Sequence, residues 1–448
     1  MERKLHLVSL GCPKNLVDSE VMLHRLEHDG YRVVENPEDA DLLLVNTCGF
    51  IASAAEEAID EILRLAEFKK QDPGKKLVVT GCLVQRYGKD LVSELPEVDL
   101  FTGTESVQEI DALVREMERG RDVTTHLRQQ RYLMDSGVGR RLATPSFRSY
   151  LKITEGCDNR CSYCMIPSIR GRLRSRAVAD LVREAAELET RGVRELTLIA
   201  QDLTAYGKER GGEENLPALL RELLAETNIP WVRLLYLYPT GIDDELLALM
   251  AENERILPYL DIPFQHVADR VLKRMNRRYG LAELERLLHR IREWLPNCAI
   301  RTTLMVGFPG EEEEDVEQMI SFLRRWTLDH VGIFRYEDEE GSPAFSLGDK
   351  VAEEVAEERY ARVMEVQSAI SRERLQRFIG TDEQVLVEGL SRESDLLLEG
   401  RTRFQAPDID GCVYITSGKV ERKGEIRRVR ITDAHIYDLV GELVEGER

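Results

Sequence analysis

Three apolar runs near the start of the chain end in the same way, and that recurrence limits the possible folds more than any other feature of the sequence. "LHLVSLGC" ends at Cys12, "DLLLVNTC" at Cys48 and "KLVVTGC" at Cys82. Short runs of this kind, bounded by small and polar residues, read as buried strands. Between them lie "NLVDSEVMLHRLEHDGY" and "ASAAEEAIDEILRLAEF", whose apolar residues recur at helical spacing. The unit is βαβαβ, so its strands pair in parallel through right-handed crossovers. Each cysteine then stands at the carboxyl end of its strand, the edge where open α/β sheets bind ligands.

A second array starts at "SYLKITEGC" and continues through "RELTLIAQD", "WVRLLYLYP", "YLDIPFQH", "AIRTTLMVGFP" and "HVGIFRYE", with helical stretches between them. Six such units predict an incomplete parallel barrel rather than a closed eightfold one. Residues 105–148, rich in arginine and loop punctuation, read as the connection between the two arrays. After the second array, "DKVAEEVAEERYARVMEVQSAISRERLQRFIG" predicts one long charged helix closed by Gly380, and the short β-branched runs beyond it predict a small barrel of the OB type. The fold class is α/β. The expected domains are a three-layer α/β unit over 1–135, a partial (β/α)6 barrel over 146–377 and an OB-like β-barrel over 378–448.

Composition narrows the function. Eight cysteines in 448 residues, with no export signal at the start, argue against a disulfide framework and for metal binding or catalysis. No apolar segment approaches membrane-spanning length, so a soluble, cytoplasmic protein with no membrane partner is expected. A formal charge of −20 speaks against a broad nucleic-acid-binding face. Residues 378–448 hold 15 acidic and 10 basic side chains, the opposite of what a grip on phosphates requires. Carboxylates there, such as Asp408 and Asp410, are expected to attract a basic partner.

The chemistry concentrates in "EGCDNRCSYCMIP", which places Cys157, Cys161 and Cys164 within one loop. A structural zinc site wants four ligands, and no nearby Cys or His completes it. A 4Fe–4S cubane held by three cysteines leaves one iron open to bind what is to be activated. Cys12, Cys48 and Cys82 read singly as small buried hydrophobes. Taken together, each ending a strand of one sheet, they form a second set that is also able to ligate three irons. Cys298 and Cys412 have no partner at a useful spacing and are assigned to packing.

Cys-x3-Cys-x2-Cys with Tyr163 before the third cysteine, at the end of the first strand of a partial barrel, resembles the radical S-adenosylmethionine superfamily. The resemblance implies that the open iron chelates the methionine moiety and that an electron from the cluster releases a 5′-deoxyadenosyl radical. With the amino-terminal cysteine domain and the terminal barrel, the resemblance extends over essentially the whole chain to the methylthiotransferase family, whose terminal barrel is called a TRAM domain. It implies two 4Fe–4S clusters, S-adenosylmethionine, a low-potential electron donor such as a flavodoxin or ferredoxin, and a monomer. "SLGCPKNLVDSE", "NTCGFI" and "EGCDNRCSYCMIPSIRGRLRSR" resemble the branch that modifies the β-carbon of an aspartate in small-subunit ribosomal protein twelve. The alternative is the branch acting on a tRNA adenosine, which usually carries a Gln-Met-Asn-like segment where this chain has Pro13, Lys14 and Asn15.

Barrel geometry nominates further residues at strand ends: Gln201 and Asp202, Tyr238 and Pro239, Gln265 and His266, and Gly307 to Gly310. The resemblance implies that Tyr163, Gln201, Asp202, Gln265, Gly307 and Gly310 contact S-adenosylmethionine. His266 reads as a satisfied polar residue. Arg170, Arg172, Arg174 and Arg176 either grip an acidic substrate group or solvate a face.

Overall fold

The computed structural model describes residues 3–121, 124–211 and 213–444. Its first sheet holds β1 (Arg3–Ser9), β2 (Tyr31–Val33), β3 (Leu42–Thr47), β4 (Lys76–Gly81), β5 (Leu100–Thr102) and β6 (Thr125–His126) in the order β2-β1-β3-β4-β5-β6, all parallel. β3 is buried along its whole length, as expected of a strand covered on both faces. Strand order reverses between β1 and β3, which is the crevice where such sheets bind ligands. Cys12 and Cys48 follow those two strands, and Cys82 follows β4.

Sequence periodicity marked three of these six strands. β2, β5 and β6 are two or three residues long, too short to show a period of two. Within the segment read as a connection, Ile110–Glu118 is a helix that buries Ile110, Leu113, Val114 and Met117 on one face. That face packs on the first helix, Pro13–His28, where Val17, Val21 and Met22 are buried.

The second sheet comprises β7 (Arg148–Lys152), β10 (Glu195–Ile199), β11 (Trp231–Leu234), β12 (Ile256–Asp261), β13 (Ala299–Val306) and β14 (His330–Arg335), while β8 (Thr154–Glu155) and β9 (Arg174–Ser175) pair antiparallel as a separate two-stranded sheet. β7 and β10 to β14 lie side by side in chain order, all parallel, and β14 and β7 stay unpaired to each other, so the barrel is partial. The first helix packs against β7, at the barrel's open edge, and one continuous core joins that helix to Tyr150, Trp231 and Tyr259 of the barrel. The long helix runs from Glu353 to Gln376. Beyond it β15 (Asp382–Leu390), β16 (Leu398–Thr402), β17 (Val413–Ile415), β18 (Ile426–Ala434) and β19 (Leu439–Leu443) close into a barrel. Among the described residues no helix is long and apolar enough to cross a membrane.

The terminal barrel docks on the amino-terminal ends of the central strands, and this corrects the reading of Asp408 and Asp410 as free carboxylates. Asp408 pairs with Arg148 at 2.8 Å and accepts from the Tyr150 hydroxyl. Asp410, its side chain 2% exposed, accepts from the Tyr259 hydroxyl at 2.7 Å and faces Arg301 and His330. Both are structural. Their partners lie on β7, β12, β13 and β14, too far away in sequence for local patterning to reveal them.

Glu195 is the firmest tie at that junction. It is fully buried between Arg233 of β11 at 2.6 Å and Arg401 of β16 at 2.5 Å. Burial alone would raise its carboxyl, but Arg401 and Arg233 overcome burial and hold it at about 2, below its ordinary 4.5. The stability it contributes is therefore whole above pH 4.5 and is lost as pH falls from 4.5 towards 2. Glu195→Gln should cost about 3–5 kcal/mol at neutral pH, read as a lower urea midpoint, and should flatten the pH dependence across that window. Parallel pH profiles for the two proteins would contradict the assignment.

Candidate active site

The first cysteine set is built by turns at the ends of β1, β3 and β4. Cys12 caps the first helix, its carbonyl accepting from the Asn15 N–H at 2.9 Å and its sulfur lying near the N–H groups of Asn15 and Lys14. Gly11 makes the approach possible: its φ is +87°, and a Cβ there would lie 2.7 Å from the Cβ of Cys48. Cys82 opens the helix Cys82–Tyr87, and Arg170 points its Nη2 at Cys82 Sγ from 3.4 Å. Burial pushes Cys82 up to about 11 against the pull of Arg170, and also raises Cys48. At Cys12 the effect of burial is outweighed by Lys14, Arg170 and the two N–H groups, and the thiol falls below its ordinary value.

The second set lies on the loop after β8. Gly156 has φ +75°, and a Cβ there would meet the Arg172 carbonyl at 2.1 Å, so the turn into Cys157 requires glycine. The Cys157 N–H donates to Gly171 O at 3.1 Å, the Ile166 N–H to Cys164 Sγ at 3.4 Å, and Arg277 Nη1 to Cys161 Sγ at 3.4 Å. Burial raises Cys157 to about 11 and Cys164 to about 12. Such thiols give up their protons when a metal takes the proton's place. Among the described residues no three His, Cys, Asp or Glu side chains draw together around a single ion. Each triad offers three soft sulfur donors, the ligand chemistry of an iron–sulfur cluster.

A buried ion network joins the two sets. Arg170, 3% exposed, reaches Asp18 of the first helix at 2.7 Å, Glu155 of β8 at 3.2 Å, Asn15 Oδ1 at 3.0 Å and Cys82 Sγ. Lys152 of β7 completes it, bonded to Asp18 and, at 2.9 Å, to Glu155. Glu155 stands two residues before Cys157, so a single guanidinium touches a thiol of one triad and the strand that carries the other. Neither role expected of the arginine run fits Arg170 or Arg176. Arg176 is buried on Asp180 and Glu184, whereas Arg172 is exposed on Asp158 and Arg174 donates to backbone carbonyls.

The other nominated residues line the carboxyl ends of the central strands. Gln201 Nε2 donates to Glu155 at 3.3 Å, and its buried Oε1 has no partner. Asp202 accepts from Asn159 of the cysteine loop and from Thr204, each at 2.7 Å. Gln265 holds φ +70°, a strained value for a residue with a side chain, and donates to Thr303. Tyr163 packs against the apolar cluster of Ala268, Val271, Met275, Phe308 and Ala344. The Gly307 N–H donates to Glu311 and the Gly310 N–H to the Asp349 carbonyl. His266 is satisfied, as expected: its Nδ1 accepts from the Ala268 N–H, and its Nε2 lies 3.3 Å from Glu311. Sequence reasoning did not find Asp18, Glu155 or Arg277, because nothing local to each residue signals its partner.

Three family models match along the chain: Uncharacterized protein family UPF0004 over residues 4–103, the Radical SAM superfamily over 151–323 and the TRAM domain over 379–444. Among solved structures, the radical S-adenosylmethionine methyltransferase TsrM from Kitasatospora setae is similar with a TM-score of 0.56 at 18% identity, covering 75% of each chain. The cobalamin-dependent S-adenosylmethionine radical enzyme OxsB gives 0.52 at 11% identity, over 82% of this chain and 56% of that one. At these identities the likeness concerns the fold. Fold and site together define a radical S-adenosylmethionine enzyme, which uses a 4Fe–4S cluster and S-adenosylmethionine.

Among curated relatives, a Desulfotalea psychrophila protein named ribosomal protein uS12 methylthiotransferase RimO is 55% identical over 444 residues, covering 99% of this chain and 100% of the relative. A Geotalea uraniireducens protein of the same name is 47% identical, covering 99% of each. The chain belongs to the RimO family of methylthiotransferases.

Removing Arg170 should loosen the junction between the two halves. Arg170→Met leaves Asp18 and Glu155 with Lys152 alone, and should cost about 3–5 kcal/mol. Arg170→Lys, which keeps the charge but not the planar fork, should recover part of the loss. Thermal melting of the metal-free chain reads both, and an unchanged melt for the methionine variant would show that the network does not hold the halves together.

Proposed function

We propose that this chain inserts a methylthio group at the β-carbon of an aspartate in ribosomal protein uS12, with one 4Fe–4S cluster on Cys157, Cys161 and Cys164 and a second on Cys12, Cys48 and Cys82. The observation that carries the reading is the contact of Arg170 with Cys82 and Glu155, which ties a thiol of one triad to the strand that leads into the other. Relatives 45–55% identical over nearly the whole chain bear the uS12 name, which favours a protein target over a tRNA adenosine. When bound, the first cluster supplies the electron that cleaves S-adenosylmethionine and the second handles the sulfur. The chain's own residues hold the parts in place. Arg170, Lys152, Asp18 and Glu155 lock the amino-terminal sheet to the barrel, and their burial keeps water from the junction. Gln201 Oε1 and Asp202 present acceptors at the barrel mouth for the amino and hydroxyl groups of S-adenosylmethionine.

A radical route suits this target, since a β-carbon C–H is not acidic enough for any side-chain base. The acidic balance of the chain supports a Lys/Arg-rich partner, met in the cytoplasm by a monomer that a flavodoxin or ferredoxin reduces.

Anaerobic reconstitution should yield about eight irons per chain. Replacing Cys157, Cys161 and Cys164 by Ala should halve the iron and abolish 5′-deoxyadenosine formation. Replacing Cys12, Cys48 and Cys82 by Ala should preserve 5′-deoxyadenosine but stop methylthio transfer. Mass spectrometry after incubation with uS12 and, separately, with tRNA decides the substrate: a methylthio gain on uS12 is expected, and a gain on the tRNA with uS12 unmodified would overturn the proposal.

A further inference from the structure

An aspartate brought into the buried junction between the two halves needs a cation that is not already paired, because an uncompensated buried charge is costly. Every buried lysine or arginine among the described residues but one has a carboxylate within ion-pair distance, as Lys152 has Asp18, Arg140 has Glu20 and Arg359 has Glu311. The exception is Lys14. It is 8% exposed, and its ammonium lies 3.4 Å from the ring centroid of Tyr236. Among the described residues it donates no hydrogen bond and meets no carboxylate at ion-pair distance.

The nearest opposite charge is the Cys12 thiolate, which acts on Lys14 without pairing with it; Asp261 and Glu155 act from further off, and both are engaged elsewhere. Asp261 accepts from Arg301 at 3.0 Å and from the Tyr236 N–H at 3.0 Å, while Glu155 takes Lys152 and Arg170. A cation–π contact orients an ammonium but leaves its hydrogens free for an anion. The position is equally specific. Lys14 lies two residues past Cys12, in the first turn of the first helix, and Tyr236 stands just beyond the carboxyl end of β11 with φ +64°. Strained, non-glycine backbone of this kind marks sites held in place for function. The ammonium therefore sits where the two halves face each other.

We propose that Lys14 is the specificity-determining residue that receives the side-chain carboxylate of the target aspartate and so sets its β-carbon between the two cysteine triads. This rests on the reading of an aspartate as substrate. The carboxylate supplies the partner that Lys14 lacks, and a neutral side chain would leave the ammonium uncompensated, so recognition and rejection come from the same group.

The test uses the reconstituted full-length protein with S-adenosylmethionine and two forms of uS12, carrying Asp or Asn at the modified position that mass spectrometry locates. By fluorescence anisotropy the wild type should bind the Asp form roughly ten- to a hundredfold more tightly. Lys14→Met should bind both forms alike, at about the wild-type affinity for the Asn form, and Lys14→Arg should keep part of the preference. A wild type that does not distinguish Asp from Asn overturns the inference with no variant needed. So does a Lys14→Met protein that still prefers Asp, or one that loses both forms equally. If instead the wild type modifies tRNA and neither form of uS12, the substrate reading has failed, and the role of Lys14 falls with it.

Discussion

The guanidinium of Arg170 is the point on which the arrangement turns. It leaves the barrel's cysteine segment, crosses to the amino-terminal half and meets Asp18 and Asn15 of the first helix and Cys82 there, while also holding Glu155 on its own side. A buried ion network of this kind is not an efficient source of stability, since apolar residues of the same volume commonly do as well. What it does supply is geometry. Two carboxylates, a lysine and an arginine can satisfy one another in few arrangements, so the network sets how the two halves face each other, where apolar packing alone would tolerate sliding.

The rest of the molecule can be read as support for that junction. The partial barrel leaves an open edge beside β7, and the first helix packs there, carrying Cys12 at its start and Asp18 along its length. At the opposite end of the strands the terminal barrel is fastened by Glu195, Asp408 and Asp410. With the floor fixed and the open edge covered, the carboxyl ends of the central strands remain for chemistry, where parallel α/β architectures place it. The positive φ angles at Gly11, Gly156, Tyr236 and Gln265 cluster at that end.

The strands and helices were legible because their patterns are local. Short apolar runs exposed the strands of the partial barrel, a period of 3.6 residues its helices, and short β-branched runs the OB-like end. The cysteines were legible because their spacing and their positions after apolar runs carry the signal. Short strands such as β2 and β5 offer no period, and the helix Ile110–Glu118 was hidden within a stretch rich in loop residues. The charged residues were the least legible. Arg170 and Asp18 are 152 residues apart, and Tyr259 and Asp410 are 151 apart. A sequence shows that such a residue carries a charge but not what stands opposite it, so Asp410 read as a surface carboxylate and Lys14 as a feature of a motif.

The central claim is that both triads serve one chamber across the Arg170 network. The most direct measurement is electron paramagnetic resonance of the reduced, reconstituted protein, set beside the two triple-alanine variants that each retain one triad. Two clusters facing a common chamber should couple magnetically, giving a wild-type spectrum that the sum of the two single-cluster spectra does not reproduce. A wild-type spectrum equal to that sum would mean that the clusters lie apart and would contradict the account.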